Sequence, residues 1–236
     1  MTRVVISQPM YFPWVGFLAQ LALADVLIWL DDAQFSKGSF TSRVQVKTAS
    51  GQKWMSIPLL GKGSNTAIGG LQPANPDWQT SHHSLLRNAL AETPHRDETL
   101  ALFDTALTAP TLCDAIIASA ELAARHVGIA LPPSQKSSDM NLPGSGWQRV
   151  LHLVQQVGGT TYITGHGARN YLDHQAFEAA GVVVDYMRYD PIPWHQPHGV
   201  FTPYVTGLDL IANVPPQDRR AHLNPSTICW QDFLTA

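Results

Sequence analysis

Three short stretches hold the side chains best suited to chemistry. The first is Gln8-Pro9-Met10-Tyr11-Phe12-Pro13-Trp14-Val15-Gly16. Tyr11 and Trp14 offer flat faces on which a base or sugar can stack, Gln8 joins them as a binding residue, and Gly16 opens a helix whose first amides suit an anion. The second is Asp31-Asp32-Ala33-Gln34-Phe35-Ser36-Lys37. Adjacent carboxylates can hold a metal, act as a base or grip a ribose, and a lysine nearby can neutralise phosphate. Asp32 is therefore a candidate base, Lys37 a second catalytic candidate and Gln34 a binding residue. The third is Gly165-His166-Gly167-Ala168-Arg169-Asn170-Tyr171. Gly165 and Gly167 let the backbone approach an anion, Arg169 suits a phosphate or carboxylate, and Tyr171 is a binding candidate. His166 is the second candidate base, because imidazole changes charge near neutral pH. GHGAR matches neither GxGxxG nor GxxxxGK[ST], so a standard dinucleotide loop and a Walker A loop are excluded.

Weaker signals surround these. Ser137-Ser138-Asp139 and Gly144-Ser145-Gly146 are polar clusters in which Ser138 or Ser145 can cap a helix, and Ser138 is also a binding candidate. Ser145 lacks the GxSxG elbow, which excludes a hydrolase of that type. His195 and His198 stand three apart, but Pro197 between them breaks helical spacing, so an exposed loop is favoured over a metal pair. Arg43 joins Arg169 as a candidate clamp. Cys113 and Cys229 form no CxxC pair, so neither a zinc knuckle nor a disulfide is expected. No metal ligand is assigned.

The elements that must position these residues alternate between strand and helix. Val4–Ser7 and Val26–Leu30 are β-branched or apolar runs flanking a short helix at Gly16–Ala24, a βαβ unit that implies a parallel sheet. Arg43–Lys47 and Lys53–Pro58 alternate around Ala49-Ser50-Gly51-Gln52 and predict a hairpin. The stretch 61–75 is a loop. From Asp77 to about Gly128 the pattern is helical, divided by Pro94 and Pro110 into three helices, the last at Leu112–Val127. Pro132–Gly144 is a polar loop. A helix at Trp147–Gln156, a strand at Thr160–Thr164, a helix at Ala168–Ala180 and a strand at Val182–Tyr186 repeat the α/β theme, and a short helix near Gly207–Asn213 precedes a tail. The expected fold is one α/β domain over 1–236, Rossmann-like, with a mainly parallel sheet and a helical insertion at about 77–128. All three candidate loops follow a strand at its carboxyl end, so they are expected to meet at one rim of the sheet.

Composition bounds the function. The chain has 236 residues, of which 15 are Lys or Arg and 18 Asp or Glu, for a net charge of −3. Charged residues make up 14 %, against about 25 % in a typical domain. At 44 % apolar the chain is too hydrophobic for disorder, and no basic excess supports general nucleic-acid binding. No apolar run reaches the ~18 residues of a membrane span, and the N-terminal run is too short for a signal peptide, so a cytoplasmic protein is expected.

The stretch ISQPMYFPWVGFLAQLALADVLIWLDDAQFSKGSFTSR resembles the N-terminal signature of the WbqC-like family. The resemblance continues through WMSIP, Trp78 with His82, KSSDM, YITGHGARNYLDHQAFEAAGVVVDY and HQPHGVFTPYVTGLDL, which covers nearly the whole chain. It implies a place in bacterial surface-polysaccharide or natural-product biosynthesis, with binding residues within those stretches that include His82 and Gln196. The expected activity is a transferase that modifies an amine-bearing, nucleotide-activated sugar or related small metabolite by acyl or aminoacyl transfer. Its partner is a small molecule, nucleotide-linked or thioester-linked, with a homo-oligomer as one arrangement; no cofactor is assigned. A second resemblance, of fold alone, is to nucleotidyltransferase-like Rossmann proteins such as pantothenate synthetases, in which Trp14 and Phe17 stand where that group has the two histidines of HxGH. This leaves two competing expectations, a nucleotidyltransferase- or ligase-like enzyme using ATP and magnesium through Asp31 and Asp32, and a non-catalytic sugar- or nucleotide-binding protein.

Overall fold

The computed structural model describes residues 1–63 and 65–235. Five parallel strands form its centre: β1 (Arg3–Ser7), β2 (Val26–Trp29), β5 (Ser134–Lys136), β6 (Thr161–Thr164) and β7 (Val183–Tyr189). The antiparallel strand β8 (Pro225–Cys229) closes one edge, and the spatial order is β5-β2-β1-β6-β7-β8. Numbered along the chain, the parallel strands run third, second, first, fourth, fifth, which is the doubly wound Rossmann order. The α/β, Rossmann-like, mainly parallel sheet expected from the sequence is therefore present.

Period-two alternation explains how the sheet is covered on both faces. Val5, Leu27, Trp29, Ile163 and Met187 point to one side, where they pack with α1 (Val15–Leu21), α3 (Arg96–Ala106), α4 (Leu112–His126) and α7 (Leu208–Asn213). Val4, Ile6, Ile28, Tyr162, Val184 and Tyr186 point to the other and meet α5 (Gly146–Gln156) and α6 (His174–Ala179), with α8 (Trp230–Thr235) against them. Gly159, just before β6, marks how tightly this second layer is packed. A Cβ there would lie 2.5 Å from Val4 Cγ2 and 2.9 Å from the Val154 carbonyl oxygen. Gly159→Ala is expected to destabilise the fold by about 1–3 kcal/mol, read as a lower urea midpoint at unchanged slope.

Between β2 and β5 lie the hairpin β3 (Arg43–Thr48) and β4 (Gly51–Ser56), then α2 (Trp78–Ala89), α3 and α4. All three helices expected at 77–128 are present. The last of them, α4, packs directly on the sheet: the Trp29 indole N–H of β2 donates to Glu121 Oε1 at 3.0 Å. It thus fills the place of the crossover helix between β2 and β5.

Three features differ from the sequence expectation. The polar loop at Pro132–Gly144 contains β5, whose residues Ser134, Gln135 and Lys136 pair with Leu27, Ile28 and Trp29. An edge strand held by backbone pairing needs no apolar signature. The tail contains β8 and α8, the former masked by Pro225. The helix expected at Ala168–Ala180 is split into a 3-10 turn at His166–Asn170 and the shorter α6. Asp173 causes the break, because its carboxylate accepts the Ala176 N–H at 3.0 Å and starts a new helix there. The α-helix N-terminus is therefore displaced to His174, and only the 3-10 turn starts at Gly165. Among the described residues, no helix is long and apolar enough to cross a membrane.

Candidate functional site

The switch point of the sheet falls between β1 and β6, where neighbouring strands send their chains in opposite directions. A cleft of about 710 Å³ opens there. Its floor is Ile6, Ser7, Tyr162 and Thr164, and its walls are Gln8 and Met10, Asp32 to Gln34, Gly165, Gly167 and Tyr171, with Gly144 to Gly146 and Arg149 closing the far side. The loops after β1, β2 and β6 thus converge on one rim. A cavity of about 760 Å³ beside the edge strand β5 is slightly larger but contains none of these loops.

The cleft sets polar groups among apolar ones, and its ionised side chains carry no net charge. Among the side chains lining it, only Asp32 and Arg149 are ionised, and they form an ion pair. Arg149 Nη1 donates to Asp32 Oδ1 at 2.9 Å and Arg149 Nε to the Leu142 carbonyl at 3.2 Å. The Ser137 hydroxyl donates to Asp32 Oδ1 at 2.6 Å. The Arg149 guanidinium, then these hydrogen bonds, hold the Asp32 carboxyl below its ordinary range. A carboxylate so stabilised accepts a proton poorly, and this arrangement suits Asp32 to placing Arg149 better than to acting as a base. Asp31 is engaged as well: it accepts from the Ser138 N–H at 3.0 Å and the Ser138 hydroxyl at 2.6 Å, which buckles β2 to the end of β5. Gly144 to Gly146 bring the first turn of α5 to the cleft, and the Ser145 side chain makes no capping bond there.

A second cavity, of about 440 Å³, adjoins the cleft. The two share Met10, Phe17, Gln20 and Gly165. The second is an aromatic chamber walled by Trp14, Phe40, Tyr189 and Tyr204, with His166 and Met187 at its β6–β7 side. Trp14 meets Tyr189 edge-on, with ring centres 5.7 Å apart, and Tyr204 at 6.1 Å. Gly16 permits this placement, because a Cβ at Gly16 would lie 2.2 Å from the Trp14 indole. His166 Nε2 lies 3.1 Å from the Met187 carbonyl oxygen. A carbonyl only accepts, so Nε2 carries the hydrogen. In the neutral ring Nδ1 then presents a lone pair, and it has no hydrogen-bond partner among the described residues.

The family model for the WbqC-like proteins matches residues 8–221, which takes in every cleft and chamber residue named above from Gln8 onward. The chain belongs to the WbqC-like protein family. It is also similar to the uncharacterized protein Rv1507c of Mycobacterium tuberculosis (strain ATCC 25618 / H37Rv), with 29 % identity over 233 residues, covering 91 % of this chain and 94 % of that one. No solved structure matches the chain.

In this WbqC-like protein Gln8, Trp14, Asp32, Gln34, Gly165, His166, Gly167 and Tyr171 line the cleft or the chamber. The other sequence candidates stand elsewhere, and each has a physical reason. Tyr11 is 0 % exposed, and its hydroxyl lies 2.9 Å from His82 Nδ1, so its ring is core and not a stacking platform. His82 is buried in the same cluster, with Nε2 at 3.1 Å from the Ser56 carbonyl. Gln196 is buried between Lys47, whose Nζ donates to Gln196 Oε1 at 3.1 Å, and Asp209, which accepts from Gln196 Nε2 at 2.9 Å, and so ties the 194–202 loop to β3 and α7. Ser138 is held by Asp31. Arg43 lies 4.1 Å over the Trp54 ring. Arg169 stands over Phe233 at 5.8 Å, and Lys37 is exposed on its turn; neither lines the cleft.

The residue that sequence reasoning missed is Arg149. A signal was present. An arginine in the first turn of a helix opposes the helix dipole and so calls for an anionic partner. Gln20, which donates to the Ile163 carbonyl at 3.3 Å in the wall between the cavities, gave no comparable signal inside an apolar helix. Cys113 and Cys229 are free thiols, and burial pushes the Cys113 thiol up to about 12.

Proposed function

We propose that this protein is a transferase that moves an acyl or aminoacyl group onto the amine of a nucleotide-activated sugar or a related small metabolite. The observation that supports it is the pair of cavities joined across Met10, Phe17, Gln20 and Gly165. A transfer needs two reactants held side by side, and a shared wall meets that need. The cleft suits the acceptor: Gln8, Gln20, Gln34, Thr164 and Tyr171 are neutral polar groups that match sugar hydroxyls, and the first turn of α5 beside Arg149 suits a phosphate. The aromatic chamber suits the donor. His166 Nδ1 is the base of this scheme. The acceptor nitrogen attacks the acyl carbon and forms the new C–N bond. The bond from that carbon to the donor's leaving group breaks, and the proton lost by nitrogen passes through Nδ1 to the leaving group. The competing ATP-and-magnesium scheme relies on Asp31 and Asp32, and both carboxylates are already engaged by Ser137, Ser138 and Arg149.

Calorimetric titration with UDP-glucosamine and UDP-glucose, followed by mass spectrometry after addition of an acyl thioester, tests the scheme. Expected results are binding of both sugars, acylation of UDP-glucosamine alone, and binding weakened about ten- to a hundred-fold in Arg149→Ala with part of it kept in Arg149→Lys. Tight binding of ATP with no binding of either sugar favours the nucleotidyltransferase or ligase. Sugar binding without transfer from any thioester or aminoacyl donor favours a binding protein.

A further inference from the structure

We infer that the aromatic chamber selects an uncharged, apolar acyl group larger than acetyl, which narrows the donor class of the transferase proposed above and rests on that proposal. The lining carries the inference. Among the described residues no Asp, Glu, Lys or Arg side chain lines the chamber; its walls are aromatic, thioether and proline surface with one imidazole and the Gln20 carboxamide. Alternation along β7 accounts for this. Met187 and Tyr189 turn toward the chamber, while Arg188 between them is exposed on the opposite face. The phenol of Tyr189 is neutral, as an ordinary tyrosine is, and burial pushes it further up, to about 12.

An aminoacyl donor carries an ammonium group. Desolvating that charge needs a carboxylate or a ring of open aromatic faces. Among its described lining residues the chamber has no carboxylate, and its rings form no cage of open faces: Trp14 and Tyr189 meet edge to face at an interplanar angle of 77°, so the edge of one covers the face of the other. A flat or branched hydrocarbon acyl group meets the same surfaces without such a penalty. Size points the same way. At about 440 Å³ the chamber holds the liquid volume of roughly fifteen waters, at ~30 Å³ each, and an acetyl group fills a small part of that. Tyr204, 66 % exposed at the mouth, leaves the way open from solvent.

The test uses N-acetylcysteamine thioesters bearing benzoyl, hexanoyl, acetyl and glycyl groups, with affinities measured by calorimetry and the bound group located by saturation-transfer NMR. Benzoyl and hexanoyl thioesters are expected to bind at least tenfold more tightly than acetyl and glycyl. Trp14→Ala is expected to weaken benzoyl binding tenfold or more. Tyr204→Ala, a change at an exposed position that leaves the core untouched, is expected to weaken it at least threefold, which keeps the test valid if the Trp14 variant does not fold. Glycyl binding as tight as benzoyl, or benzoyl affinity unchanged in both folded variants, overturns the inference. Selective benzoyl binding lost in these variants, with no acylation of UDP-glucosamine, upholds the selectivity of the chamber and overturns the transfer scheme alone.

Discussion

Lowering the pH from 7 to 4 is expected to remove about 3 kcal/mol of folding stability through His82 alone. The imidazole lies between two fixed partners, with Nε2 at 3.1 Å from the Ser56 carbonyl oxygen and Nδ1 at 2.9 Å from the Tyr11 hydroxyl. The carbonyl requires the hydrogen on Nε2, so Nδ1 accepts from Tyr11 and the ring is neutral. Burial then lowers its pKa from 6.5 to about 4. Above pH 6.5 the folded and unfolded chains are both neutral at this position and the shift has no effect. As the pH falls from 6.5 toward 4, the unfolded chain takes up a proton that the folded one refuses, and stability falls by about 1.4 kcal/mol per pH unit, less where either form is only partly protonated, for about 3 kcal/mol by pH 4. Carboxylates held low by arginines, Asp32 and Glu98 among them, begin to lose their contribution as the pH falls through their ordinary values of 3.8 and 4.5, and so overlap the acid end of this window. Urea unfolding of the wild type and of His82→Gln at pH 7, 5.5 and 4.5 separates these effects. The glutamine keeps a donor and an acceptor but does not titrate in this range. Parallel loss of stability in the two proteins across that window would sink the assignment.

Arg219→Ala is expected to cost about 3–5 kcal/mol, the largest stability loss of any single change considered. The side chain is 1 % exposed. Its guanidinium donates to Glu98 Oε1 at 2.7 Å and Oε2 at 2.8 Å, to the Val214 carbonyl at 2.8 Å and to the His126 carbonyl at 3.1 Å. It therefore joins α3, the end of α4 and the chain leaving α7. Alanine leaves a cavity and removes the partner of a carboxylate and two carbonyls together. At ~2–4 °C per kcal/mol for a chain of this size, calorimetry should show a fall of roughly 6–20 °C in Tm. A fall of less than about 2 °C would mean that Glu98 and the carbonyls find water at no cost, and that Arg219 does not hold these helices together.

The fold was legible where burial writes itself into residue type. VVIS and VLIWL are covered on both faces and carry no polar residue inside the strand until Ser7, so the parallel unit was visible. Strand β5 was not, because SQK at the sheet edge pairs through its backbone and leaves its side chains to solvent or to the neighbouring helices. The rim of the site was legible for a geometric reason: loops leaving the carboxyl ends of adjacent parallel strands have nowhere else to go. The roles within it were not. Tyr11 and Trp14 are aromatic residues three apart in one loop, yet one is core and the other faces the chamber. Composition does not separate them, because the backbone turn between them decides. Likewise Asp31 and Asp32 are identical in type, and only the positions of Ser138 and Arg149, more than 100 residues away, distinguish a buckle from an ion pair.

That turn is made by Phe12, which sits in the left-handed region at φ 38°, a conformation that costs a bulky residue about 1–3 kcal/mol. It is restrained by groups distant in the chain. The Phe12 N–H donates to the Ser119 hydroxyl at 2.9 Å, the Thr206 hydroxyl donates to the Phe12 carbonyl at 2.8 Å, and the ring stacks on Phe103 at 5.2 Å. During synthesis, the aromatic loop leaves the ribosome before the residues that hold its shape, which emerge about 90, 107 and 194 positions later. The loop therefore takes its final shape only after Thr206 has emerged. A chain that stops short of Thr206 carries Trp14 and the cleft-lining Gln8 without the hydroxyl that closes the turn between them, and has no reason to keep Phe12 left-handed.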